Sequence, residues 1–157
     1  MALAALVLAP LPLSAAKAAP ERAVAVFAGG CFWCTEADFD KMPGVISTTS
    51  GYTGGRVRNP TYKQVSAGGT GHIEAVQVVY DPARISYATL ASRFIRTIDP
   101  LDAGGSFCDR GYSYRSAFFV ANPAQRQAAE AAKESAAAAI SATSSMTARH
   151  RPASAGV

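Results

Sequence analysis

Two cysteines three residues apart, Cys31 and Cys34, bracket Phe32 and Trp33 directly after Gly29 and Gly30. Glycines turn the chain before a helical pattern, so Cys31 is expected at the helix start. There, unpaired amide N–H groups and the positive end of the helix dipole favour a thiolate over a thiol. A helical spacing of three puts the Cys34 sulfur on the same face, within the Cα separation of ~4.4–6.8 Å that a disulfide needs. The chemistry of such a pair is nucleophilic and redox-active. Cys108 makes the count three, an odd number that leaves at least one thiol free or transient. The plainer alternative makes Phe32 and Trp33 core residues and both cysteines inert packing.

Glu74 is the companion acid. It opens an alternating stretch in which Glu74, Val76, Val78 and Tyr80 share one face, so an acid lies on the more apolar side of a strand. Burial there raises its pKa and makes it a proton donor; the alternative is a solvated acid at a strand edge. Four phenols, Tyr52, Tyr62, Tyr112 and Tyr114, fall in or beside two glycine-rich stretches. Cys31, Glu74 and these phenols are expected to converge on one site.

The elements that position them follow from punctuation and periodicity. The apolar run Ala23 to Phe27 is a strand, and a helix runs from about Cys31 to Lys41 until Pro43 and Gly44 stop it. Val45 to Tyr52 is a second strand. From Gly51 to Gly71 the chain is glycine-rich and irregular, a loop long enough to be functional, with His72 as a hydrogen-bonding residue at its end. After the strand Glu74 to Tyr80, a helix is predicted over 86–98, with Leu90, Phe94, Ile95 and Ile98 on its apolar face. A second glycine-rich loop, Asp99 to Tyr114, precedes a short strand, Ser116 to Val120. Asn122 caps a final helix, with Pro123 first and Gln125 third, that extends to about Ile140.

At 157 residues with 49% hydrophobic content, the chain suits one domain with a real core. That domain is placed at 21–140. Residues 1–20 are almost wholly apolar with a single charge, Lys17, and AlaLysAla at 16–18 resembles a cleavage site. Read as a signal segment they imply export to the periplasm or beyond; if they are not a signal, the chain is cytoplasmic. The run is too short and too interrupted by Pro10 and Pro12 for a stable membrane span. Residues 141–157 are read as a disordered tail. The net charge of +4 is scattered, which disfavours nucleic acid as a partner. A zinc site from Cys31, Cys34, Cys108 and a histidine is disfavoured because the remaining ligands are isolated from the pair. A thioredoxin-like disulfide exchanger is the stronger rival, sharing the cysteine spacing. Its intervening residues are ordinarily small or turn-forming, whereas Phe32 and Trp33 are bulky.

The stretch GlyCysPheTrpCysThrGlu at 30–36 resembles the A-type peptide methionine sulfoxide reductases. ProGlyValIleSerThrThrSerGlyTyrThrGlyGly at 43–55, AsnProThrTyr at 59–62, GlyThrGlyHisIleGluAlaVal at 69–76, ValTyrAspPro at 79–82 and AspArgGlyTyrSerTyrArgSer at 109–116 resemble that family in its order. The resemblance implies an α+β fold, a two-layer sandwich with a mixed sheet and packed helices on a ferredoxin-like core. It implies Cys31 as nucleophile on the sulfoxide sulfur and Glu74 as the acid on its oxygen. Phe32 and Trp33 would enclose the substrate methyl, Tyr62 and Tyr114 would hydrogen-bond the oxygen, and Asp109 would order the site. A second cysteine would resolve the sulfenic acid, with thioredoxin or another dithiol as reductant and no bound cofactor or metal, and the helical spacing favours Cys34 for that part. Oxidised proteins or free methionine sulfoxide would be the substrates of a monomer. Family members continue past the alanine-rich helix into another strand and a tail that often carries resolving cysteines. Residues 141–157 match neither, so the C-terminal part of the fold is expected to be missing, and an inactive domain that only binds oxidised methionine is the non-enzymatic rival. Cys108 is unusual for its position and stands as a spare thiol or second resolver.

Overall fold

The computed structural model describes residues 21–149, with side chains as far as Ala142. β1, Ala23–Ala28, leads into α1, Phe32–Asp40, and then β2, Val45–Thr53. A long connection holding the short helix α2, Tyr62–Ser66, returns the chain to β3, Ile73–Tyr80. α3, Tyr87–Phe94, is followed by a two-stranded hairpin, β4 Gly105–Ser106 and β5 Asp109–Arg110, and a 3-10 turn at Tyr112–Tyr114. β6, Ala117–Phe119, and α4, Pro123–Arg149, complete the described chain.

The strand order is β2-β3-β1-β6, the ferredoxin-like arrangement of a split βαβ unit. Every pairing in this sheet is antiparallel, which corrects the expected mixed sheet. The reason is topological: β1 and β2 run the same way, but β3 lies between them and is antiparallel to both. The two-layer α+β class holds.

Alternation sets which face of the sheet is dry. Ala25 and Phe27 on β1, with Val76, Val78 and Tyr80 on β3, are buried with Phe39 of α1, Leu90, Ala91 and Phe94 of α3, and Ala129 and Ala132 of α4. Phe27 is central. Its ring lies 4.8 Å from Phe39 and 5.0 Å from Phe94, centroid to centroid, with Phe118 edge-on at 5.9 Å. Offset and edge-to-face pairs of this kind add about 0.5–1.5 kcal/mol each beyond area burial.

Helix ends follow local chemistry. Ser86 Oγ accepts from Thr89 N at 3.1 Å to start α3. Asn122 Oδ1 accepts from Gln125 N at 2.8 Å, and the Gln125 side chain reaches back to accept from Ala121 N and to donate to the Val24 carbonyl on β1. α3 is shorter than the predicted 86–98, although Ile95 and Ile98 remain buried beyond its end. α4 is longer, continuing past the expected end at Ile140 to Arg149. Residues 1–20, read as a signal segment, and 150–157, the end of the expected tail, lie outside the described residues. Among the described residues no helix is long and apolar enough to cross a membrane.

Candidate active site

Gly29 and Gly30 fix the route into the site. A Cβ on Gly29 would meet Phe94 and Thr35 at 2.8 Å, and Gly30 has φ +86 with Ser106 2.7 Å from where its Cβ would stand. Both positions exclude a side chain, the first by crowding and the second by crowding and backbone hand. The tight passage delivers Cys31 as the N-cap of α1, where its carbonyl accepts from Thr35 N at 3.1 Å.

The next amide explains Glu74. Phe32 N, an orphan donor of the first helical turn, donates to Glu74 Oε2 at 3.0 Å. Glu74 is 2% exposed, and its other oxygen is buried without a partner. Burial pushes the Glu74 carboxyl up, the Phe32 amide pulls it back in part, and the nearby Asp109 charge pushes it up further. The group is therefore a buried acid bonded to the residue that follows Cys31.

Aromatic rings wall the other side. Phe32 lies 5.1 Å from Trp33, 5.5 Å from Tyr52 and 6.3 Å from Tyr62, and Trp33 stacks on Tyr62 at 5.7 Å and 18°. Phe32 is buried, but Trp33 is 59% exposed. A core tryptophan would not be, so this indole is a wall rather than packing. Tyr62 shares a hydrogen bond with Tyr114, whose hydroxyl is pushed up to about 12 by burial, then by the charges of Glu74 and Tyr62, that bond, and Asp109. Tyr52 is likewise raised, first by burial and then by Glu74. Both phenols stay protonated as hydrogen-bond donors.

Cys34 is exposed, and its thiol is pushed up, first by a side-chain hydrogen bond with Cys31 and then by burial and the Cys31 charge. Cys108 lies exposed beside Phe107, φ +53, in the turn of the β4–β5 hairpin, whose Ser106 abuts Gly30. Asp109, the first residue of β5, acts electrostatically on Glu74, Cys34 and Tyr114.

The structure therefore gathers Cys31, Phe32, Trp33, Cys34, Tyr62, Glu74, Asp109 and Tyr114. Of the four phenols, Tyr112 is the exception. It is exposed with the Arg115 guanidinium 5.0 Å over its ring. Tyr52 belongs to the site by a route that spacing alone did not isolate, since it stands opposite Glu74 in the β2–β3 register. α2 was read as irregular loop, yet Thr61 and Gln64 form a capping box that starts it and fixes Tyr62 at its first position. That Ser/Thr-x-x-Gln signal was present in the sequence.

Fold and site together define a pair of cysteines at a helix start on a ferredoxin-like α+β core, with a buried acid and an aromatic wall around Cys31. A family model described as peptide methionine sulfoxide reductase matches residues 23–154. The chain is 56% identical over 122 residues to peptide methionine sulfoxide reductase MsrA 2 of Caulobacter vibrioides, covering 78% of this chain and 62% of that protein. It is 58% identical over 110 residues to the MsrA of Ligilactobacillus salivarius, covering 70% and 64%. Methionine sulfoxide reductase A of Corynebacterium diphtheriae superposes with a TM-score of 0.74 at 34% identity, over 80% of this chain and 61% of that one. The chain belongs to the peptide methionine sulfoxide reductase family, of the A type, and spans somewhat under two thirds of the length of these relatives.

Proposed function

We propose that the chain reduces methionine-S-sulfoxide, free or in proteins, to methionine. The observation that carries this reading is the buried Glu74 carboxyl, hydrogen-bonded to Phe32 N beside Cys31 and facing a wall of Phe32, Trp33 and Tyr62.

The sulfoxide methyl seats against the Phe32 and Trp33 rings while Tyr62 and Tyr114 donate to the oxygen. Cys31 attacks the sulfur as Glu74 gives its proton to that oxygen, and collapse leaves methionine and a Cys31 sulfenic acid. Burial keeps Glu74 and Tyr114 protonated, and the Asp109 charge adds to it. The Cys34 thiol then displaces water from the sulfenic acid to form a Cys31–Cys34 disulfide, and thioredoxin or a similar dithiol restores both thiols by exchange. No bound cofactor enters these steps. The apolar residues 1–20 support export as the setting, and a monomer suffices because every group named lies on one chain.

A stereospecific assay tests the reading. With dithiothreitol as reductant and the S and R epimers of methionine sulfoxide supplied separately, only the S epimer is expected to yield methionine. Insulin-disulfide reduction without sulfoxide reduction would instead establish a disulfide exchanger, and sulfoxide binding without thiol consumption a binding domain.

A further inference from the structure

His72 lies outside the group of residues assigned to the reaction, yet it is 9% exposed and two positions from Glu74 on the way into β3. Its Nε2 lies 2.8 Å from the Val57 carbonyl. A carbonyl only accepts, so Nε2 donates, and Nδ1 is buried without a partner. The backbone around it is tied in the same sense. His72 N donates to Thr70 Oγ1 at 3.2 Å, and Thr70 O accepts from Arg56 N at 3.2 Å.

These bonds cross between two segments that matter to the site. Val57 and Arg56 belong to the loop from Gly54 to Thr61, and that loop ends at the capping box placing Tyr62 against Phe32 and Trp33. Thr70 and His72 belong to the segment that becomes β3 and carries Glu74. Gly55 packs flat on the imidazole, so closely that a Cβ there would overlap the ring. A glycine and a buried imidazole are thus fitted to one another at the join.

We propose that His72 is a positioning residue: its imidazole latches the Gly54–Thr61 loop to the Glu74 strand and thereby holds Tyr62 in the substrate wall. The inference rests on the sulfoxide reading above. Its role is geometric, since Tyr62 contacts the substrate and His72 does not. Loss of the latch frees the loop, weakens binding of the sulfoxide and leaves Cys31, held by α1, as reactive as before.

His72→Leu, His72→Gln and Gly55→Ala provide the test in the full chain. A glutamine amide places its nitrogen near the Nε2 position and still donates to Val57, whereas leucine fills the space without donating. Gly55→Ala keeps the imidazole but displaces it together with the His72 backbone nitrogen, which the new Cβ would also overlap. With the S epimer and dithiothreitol, His72→Leu and Gly55→Ala are expected to raise KM about tenfold with kcat within about twofold, the signature of lost uniform binding. His72→Gln should return most of the KM, and iodoacetamide should alkylate Cys31 at the same rate in all variants. Limited trypsin digestion gives a readout independent of activity: cleavage after Arg56, Arg58 and Lys63 should accelerate in His72→Leu and not in His72→Gln. An unchanged KM and unchanged cleavage in His72→Leu would overturn the latch. Equal losses in leucine and glutamine variants, or a fall in kcat alone, would do the same. Failure of the unmutated chain to reduce either epimer would strike at the sulfoxide reading, and the trypsin pattern would then decide the latch by itself.

Discussion

At the scale of single residues the chemistry turns on Glu74. Its carboxyl is raised above its ordinary range by burial, so it holds a proton at pH values where an exposed glutamate has lost it. Activity that needs this proton is present below the raised pKa and declines as pH rises through it. Glu74→Gln should reduce kcat/KM by roughly 10²-fold or more, since general acid catalysis contributes ~10²–10⁴-fold, and should flatten that alkaline limb. Cys31 alkylation should persist, which separates loss of the acid from loss of the fold. The cysteines divide by geometry: Cys34→Ser should release methionine once and then stall with thioredoxin, while Cys108→Ser turns over normally. Mapping the disulfide after one equivalent of substrate checks this, and a Cys31–Cys108 bond would refute it. Most of these residues were legible from type and spacing. Tyr52 and Tyr112 were not separable in sequence, because strand register and a guanidinium stacked over one ring decide which phenol faces Glu74.

At the scale of elements, two short connections do the positioning. Gly30→Ala forces an L side chain into φ +86 and drives its Cβ into Ser106; the left-handed conformation alone costs roughly 1–2 kcal/mol. A lower thermal midpoint and a slower Cys31 alkylation are both expected, because the residue that must shift is the one before the nucleophile. Thr61→Ala removes the side-chain acceptor of the α2 capping box. Loss of such a cap costs about 1 kcal/mol, and on so short a helix the effect should appear as a raised KM through Tyr62 rather than as global unfolding. Helix starts at Ser86 and Asn122 were readable because caps are local signals. The end of α4 was not, since a run of alanine, serine and threonine has no periodicity to lose. α2 was hidden by the glycines around it, although its Thr61 and Gln64 box is as local a signal as the others.

For the whole molecule, the same buried acid links stability to pH. The folded chain binds a proton at Glu74 that the unfolded chain has released between the ordinary carboxyl pKa and the raised one. Its contribution is thus fully present in acid and lost as pH rises through the raised value. Glu74→Gln carries no such penalty, so its thermal midpoint relative to the unmutated chain should climb as pH rises from the ordinary carboxyl range through the raised value. A constant difference across that range would show that the carboxyl is not desolvated. The α+β class follows from the resemblance, but a mixed sheet was expected where β3 separates the two like-directed strands. Pairing partners distant in sequence are the part of a fold that local pattern does not encode.

The central claim is that Cys31, served by Glu74, takes the oxygen from a sulfoxide. The most direct measurement uses the Cys34→Ser, Cys108→Ser double variant, in which Cys31 is the remaining thiol. Mixed with methionine-S-sulfoxide and no reductant, it is predicted to release one methionine per chain and to carry a sulfenic acid on Cys31, trapped by a dimedone adduct and located by mass spectrometry. Adding Glu74→Gln should slow that single turnover by roughly 10²-fold without changing its product. Release of no methionine, or an oxidised residue mapped anywhere other than Cys31, would contradict it.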